Sequence, residues 1–190
     1  MPMEVQAKTG RRRDAGQRPQ AVVVMGVAGC GKSAVGAALA RAIGAQFIEG
    51  DALQPPENVA RMSRGEALTD ELRAGWLDAV GQSMKAALIG GDDVVAACSA
   101  LKRSYRDRLR RIEPSIVFVH LVISLEAARR RVANRRGHFM PASLVDSQFA
   151  TLEPPAADED AFSVSAEKPI AEIVRAVSEF LAMQRSKAEG

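Results

Sequence analysis

Aromatic residues are scarce in this 190-residue chain: one Trp, one Tyr and six Phe make up 4% of it. Such a chain has little with which to build stacking platforms for nucleic-acid bases. Cysteine is scarcer still, with only Cys30 and Cys98. A disulfide framework needs more cysteines in a smaller secreted chain, so a reduced, cytoplasmic protein is expected. No charge sign dominates. Lys and Arg number 26 against 23 Asp and Glu, a net charge of +3, which is too small to argue for a nucleic-acid partner. No run of about 18 apolar residues occurs, so no membrane span is expected. The two histidines, His120 and His138, form no group with cysteine at zinc-ligand spacing.

What is present describes an ordinary globular domain: 47% apolar and 26% charged residues, in a chain long enough to bury one core. Residues 1–20 are the exception. They carry Arg11, Arg12, Arg13 and Arg18 without apolar periodicity. A disordered basic arm without the apolar stretch of a secretory signal is expected there, with the folded domain over 21–190.

Along that domain, short apolar runs at 21–25, 47–49, 94–98, 116–123 and 162–165 alternate with helical patterns. The helices are expected at about 32–43, 56–64, 70–90, 102–112, 125–136, 143–152 and from 170 onward, with Thr69 and Ser124 as N-caps. Strands alternating with helices predict an α/β fold: a five-stranded parallel sheet flanked by helices.

The first run leads into Gly26-Val27-Ala28-Gly29-Cys30-Gly31-Lys32-Ser33, which fits G-x-x-x-x-G-K-[ST]. The strand before it and the helix after it are the context that makes the pattern meaningful. Its glycines allow a tight turn whose N–H groups converge on phosphate oxygens, with the field of the helix N-terminus behind them. Lys32 is expected to reach the outer phosphates and Ser33 to ligate Mg²⁺, so the cofactors read from the loop are ATP and Mg²⁺. A plain glycine-rich turn is the bland alternative. No Asn-Lys-x-Asp is present for guanine, and the third run ends Ala97-Cys98-Ser99 without the carboxylate of motor or AAA-type ATPases. The second run ends Glu49-Gly50-Asp51. On an extended segment those two carboxylates would share a face. One could hold a metal-bound water, for which Glu49 is the candidate. The other, Asp51, could accept the proton of an attacking hydroxyl.

Beyond the glycine loop, several blocks are specific: Gly50-Asp51 with Pro55, Asn58 and Met62; Gly65-Glu-Ala-Leu-Thr-Asp70 with Arg73 and Trp76; Cys98-Ser-Ala-Leu-Lys102-Arg-Ser-Tyr105-Arg106-Asp107; Gly137-His-Phe-Met-Pro141; and Ser147-Gln-Phe149 with Thr151-Leu-Glu-Pro154. In these the chain resembles the gluconokinase family, ATP-dependent kinases related to shikimate and nucleoside monophosphate kinases. The resemblance implies a P-loop fold with strand order 2-3-1-4-5, phosphorylation of gluconate to 6-phosphogluconate, a homodimer, and a lid at about 135–143. It departs from the family at Gln54, where the family has His, and at Leu72, where it has Asp.

A gluconate site needs a cation for the carboxylate and donors for the hydroxyls. Arg61, Arg73, Lys102 and Arg106 lie in or near the family blocks and are the candidate cations; solvated helix faces are the alternative for Arg61 and Arg106. Gln54 and Asn58 are candidates for the hydroxyls. Arg131 and Arg135 match arginines of the family's lid entrance, Arg131 toward the nucleotide and Arg135 as a catalytic cation. His138 reads as a packing residue and His120 as a core histidine. A kinase of another small hydroxy acid, such as shikimate, and a non-catalytic ATP-binding module are the rival readings.

Overall fold

A computed structural model describes residues 19–66, 68–134 and 142–188. Five strands, β1 (Ala21–Met25), β2 (Gln46–Glu49), β3 (Val94–Ala97), β4 (Val117–Val122) and β5 (Ala161–Ser165), form one sheet in the order β2-β3-β1-β4-β5. All four pairings are parallel. The expected strand order is the observed one. β1 lies at the centre because all five of its residues are buried, as a strand covered on both faces must be. Its alternation divides the core. Val22 and Val24 pack with Leu39, Val119, Ile173 and Leu181. Ala21, Val23 and Met25 pack with Trp76, Leu77, Met84 and Phe118 on the other side.

Helices α1 (Lys32–Ile43), α5 (Leu125–Ala133), α6 (Ala142–Thr151) and α7 (Ile170–Ala188) contribute to the first layer; α3 (Asp70–Ile89) and α4 (Arg103–Ile112) form the second. The short helix α2 (Pro56–Ser63) connects β2 to α3. The caps read from sequence do the expected work. Thr69 accepts a hydrogen bond from the Leu72 N–H, and Ser124 one from the Ala127 N–H. His120 is buried on β4 with its Nδ1 3.4 Å from Ser163 Oγ; burial, reinforced by the Arg106 cation, lowers its pKa. That is the expected core histidine.

One local expectation is corrected. Glu49 and Asp51 do not share an extended segment, because β2 stops at Glu49 and residues Gly50–Leu53 form a 3₁₀ turn. Sheet spacing forces the change. A Cβ on Gly50 would stand 2.3 Å from the Ala97 carbonyl oxygen, so the chain presses against β3 there and turns away. The basic arm expected at 1–20 lies almost entirely outside the described residues, as do Arg135 and most of the segment 135–143. Among the described residues, no helix is long and apolar enough to cross a membrane.

Candidate active site

The glycine loop joins β1 to α1 at the carboxyl edge of the sheet. Its shape depends on two glycines above all. Gly29 has φ +82°, and a Cβ there would lie 2.8 Å from the Ala128 carbonyl of α5. Gly31 has φ +94° with nothing within 4 Å of a built Cβ, so the loop is open on the side where α1 begins. The Gly26 N–H donates to Ser99 O at 3.3 Å, tying the loop to the segment after β3. Val27 and Cys30 are buried, Lys32 is half-buried and Ser33 exposed. Lys32 Nζ donates to the Val27 carbonyl at 3.2 Å. The Ala28 N–H is already engaged by Gln148 Oε1 of α6 at 2.7 Å.

Arg131, in the last turn of α5, spans from this loop to the β5–α7 connection. Its guanidinium donates to Ala166 O at 2.9 Å and lies 3.5 Å from Gly29 O. A cleft of about 260 Å³ opens beside it, lined by Gly29, Gly31, Ala34, Arg131, Ala166 and Lys168. Lys168 was absent from the sequence-based candidates. Its signal was its place just after the last strand, because ligands of parallel sheets sit beyond the strands' carboxyl ends.

On the other side of the loop, Asp51 is the second residue of the 3₁₀ turn and is exposed. Its neighbour Gly50 is pinned by Trp76, whose indole N–H donates to Gly50 O at 2.7 Å. The buried Cys98 thiol, just after β3, feels the charges of Asp51, Lys32 and Arg73. Burial above all, assisted by the Asp51 charge, pushes that thiol up to about 12, against a hydrogen bond with the Ala100 backbone and the Lys32 and Arg73 cations. Glu49 shares its face of β2 with Phe47, which packs into the α1 layer, and so lies toward the helix that carries Ser33.

Arg73 and Lys102 meet over one ring. The Arg73 guanidinium carbon is 5.8 Å and Lys102 Nζ 5.4 Å from the Tyr105 centroid, a cation–π distance. Lys102 donates to both Asp70 oxygens at 2.9 and 2.8 Å, and the Tyr105 hydroxyl donates to the same carboxylate. The Lys102 hydrogen bond, then that of Tyr105, lowers the Asp70 pKa. Arg73 itself donates to Leu68 O at 3.2 Å.

Other candidates stand elsewhere. Asn58 is buried and both donors of its amide are used internally, toward Gln54 Oε1 and Leu72 O at 3.0 Å each. It braces the turn after β2 against the start of α3. Arg61 is 48% exposed and pairs with Glu66 at 3.5 Å. Arg106 requires a correction. It is fully buried, and it makes a two-pronged ion pair with Glu159 at 2.7 and 2.8 Å. Its remaining nitrogen, NH1, donates to the carbonyls of Ala100, Leu101 and Glu153. With all three nitrogens engaged and the side chain fully buried, this arginine does not reach a ligand. Its task is to fix the segment after β3, where Ala100 holds a left-handed φ of 42° that a residue with a Cβ adopts at a cost.

The Arg106 pair sets an acid limit on stability. Hydrogen bonds from Arg106 hold the Glu159 pKa down to about 2 from 4.5, with burial opposing and the Ala156 N–H and Arg110 assisting. A depressed folded pKa stabilises fully above the unfolded value and loses that contribution as pH falls toward the folded one. Arg106→Met should therefore cost about 3 kcal/mol at pH 7, by leaving the carboxylate buried with Arg110 alone. Urea unfolding should show the penalty shrinking as pH falls from 4.5 toward about 2, the window between the unfolded and folded values of Glu159.

A parallel sheet of order 2-3-1-4-5 with this loop between β1 and α1 defines a P-loop kinase-like fold. A family model described as an AAA domain matches residues 22–155. That qualifies the sequence-based setting aside of AAA-type ATPases; the chain carries the domain but has no acid at 97–99. The chain is 49% identical to a gluconokinase from Gluconobacter oxydans over 80% of its own length and 86% of the relative's. It is 37% identical to the thermoresistant gluconokinase of Escherichia coli, covering 84% and 91% of the two chains. The crystal structure of a gluconokinase from Sinorhizobium meliloti superposes with a TM-score of 0.81 at 46% identity, covering 91% of this chain and 97% of that one. The chain belongs to the gluconokinase family, as the sequence blocks implied.

Proposed function

We propose that this protein transfers the γ-phosphoryl group of ATP to D-gluconate, yielding ADP and 6-phospho-D-gluconate. The observation that carries the reading is the arrangement along the carboxyl edge of the sheet: the glycine loop after β1, Asp51 just after β2, and Arg73 and Lys102 over the Tyr105 ring beside the segment after β3. On this reading that edge supplies a phosphate-side cation in Lys32, an acceptor-side carboxylate in Asp51 and a cation for the gluconate carboxylate in Arg73. The gluconokinase activity of its relatives supports the same choice over shikimate or a module that only binds ATP.

When bound, ATP with Mg²⁺ supplies the phosphoryl group and neutralises part of its charge. The loop's N–H groups from Gly29 to Ser33 would hold the β-phosphate, and Lys32 would exchange Val27 O for phosphate oxygen. Arg131 and Lys168 line the cleft in which the nucleoside would lie. Among the described residues, no group of three or more His, Cys, Asp and Glu could hold a metal. Mg²⁺ keeps waters and phosphate oxygens rather than a protein cage. Ser33 would ligate it through its hydroxyl, with Glu49 toward a bound water. Asp51 would accept the proton of the attacking hydroxyl, Arg73 would take the gluconate carboxylate, and Lys102 and Gln54 would contact its hydroxyls. Arg135 remains a transition-state cation on sequence grounds. A homodimer rests on the family resemblance, and a cytoplasmic location on two free buried cysteines.

The test is a coupled ADP-release assay with Mg²⁺ across a panel of sugar acids and shikimate. D-Gluconate should give the highest kcat/KM; a higher value for another acid would displace it as the substrate. Arg73→Leu should raise the gluconate KM by about ten- to a hundredfold, the loss of a charged hydrogen bond, with the ATP KM unchanged.

A further inference from the structure

One peptide unit in the glycine loop is held from both ends. The Val27 carbonyl accepts from the Cys30 N–H at 3.3 Å and from Lys32 Nζ at 3.2 Å. The N–H of the same peptide, carried by Ala28, donates to Gln148 Oε1 at 2.7 Å. Gln148 is half-buried on α6, 120 residues away in sequence. A peptide is planar, so fixing the direction of its N–H fixes the opposite direction of its carbonyl. The side chain of Gln148 thereby decides where the carbonyl that holds the Lys32 ammonium points. Without that acceptor the half-buried Ala28 N–H loses its protein partner and the peptide is free to turn toward another one.

We infer that Gln148 is a positioning residue for nucleotide binding: it orients the Val27–Ala28 peptide and, through it, presets Lys32 for the outer phosphates. The inference rests on the ATP reading above and adds to it a residue outside the loop and outside the acceptor side. It makes α6 part of the phosphate-binding apparatus, with Gln148 acting through Lys32 and touching no ligand itself.

The experiment is a double-mutant cycle read by binding. Titration calorimetry with a non-hydrolysable ATP analogue and Mg²⁺ is run on the wild type, Gln148→Met, Lys32→Met and the double variant. Gln148→Met should weaken the analogue by about fivefold, the worth of one hydrogen bond. In the Lys32→Met background the same change should matter less than about twofold, because the group it presets is gone. Adenosine, which lacks phosphates, should bind the wild type and Gln148→Met equally; a merely structural role would weaken both ligands. Gln148→Ala, which also removes the acceptor, is measured beside it in case one variant misfolds. Equal losses in the two backgrounds, or no loss with a folded Gln148 variant, overturn the inference. Failure of the wild type to bind the analogue would instead overturn the ATP reading.

Discussion

Lys32→Met should leave a folded protein whose kcat is lower by at least about a hundredfold, the usual loss when a preorganised electrostatic donor is removed. The side chain is half-buried at the start of α1 and its ammonium donates to Val27 O. Among the described residues it makes no ion pair, so little of the fold depends on it. Methionine preserves the length and the helix propensity. The urea midpoint should therefore stay close to that of the wild type while turnover collapses. A variant with near-normal kcat would mean that chemistry happens somewhere other than the glycine loop.

The second large effect is at Asp51. Asp51→Asn should lower kcat by about two orders of magnitude or more, the range expected for loss of a general base. Affinity for an ATP analogue should change little. Asp51 is exposed and is the second residue of the turn that Gly50 and Trp76 hold in place, so asparagine should fit without strain. The amide has the carboxylate's shape but cannot take a proton. Should nucleotide affinity fall while kcat at saturation stays normal, Asp51 belongs to the nucleotide side and the acceptor role passes to another group.

Both candidates stand out in the sequence because their signals are local. Lys32 stands at a fixed offset within an eight-residue pattern, and Asp51 follows the second apolar run directly. The sheet order was legible only through the family blocks, since strand composition does not order a parallel sheet. Long-range burial was not legible at all. Arg106 looks like any charge on an amphipathic helix until Glu159, 53 residues on, closes over it. Gln148 is one glutamine among helical residues until α6 is placed against the loop. The turn at Gly50 was read as extended because nothing local announces that Ala97 O will occupy the space of a side chain. Lys168 is hard to read for a related reason: its place just after the last strand is a weak signal by itself, and the cleft beside Arg131 is what brings it to notice.

The most direct test of the account is the identity of the product. The purified protein is incubated with ATP, Mg²⁺ and D-gluconate, and the mixture is followed by ³¹P NMR with mass spectrometry of the sugar acid. The account predicts ADP and one phosphomonoester in equal amounts, the new ester on the primary hydroxyl at C6 of gluconate. ADP appearing with inorganic phosphate alone, or gluconate recovered unchanged while another hydroxy acid is phosphorylated, would contradict it.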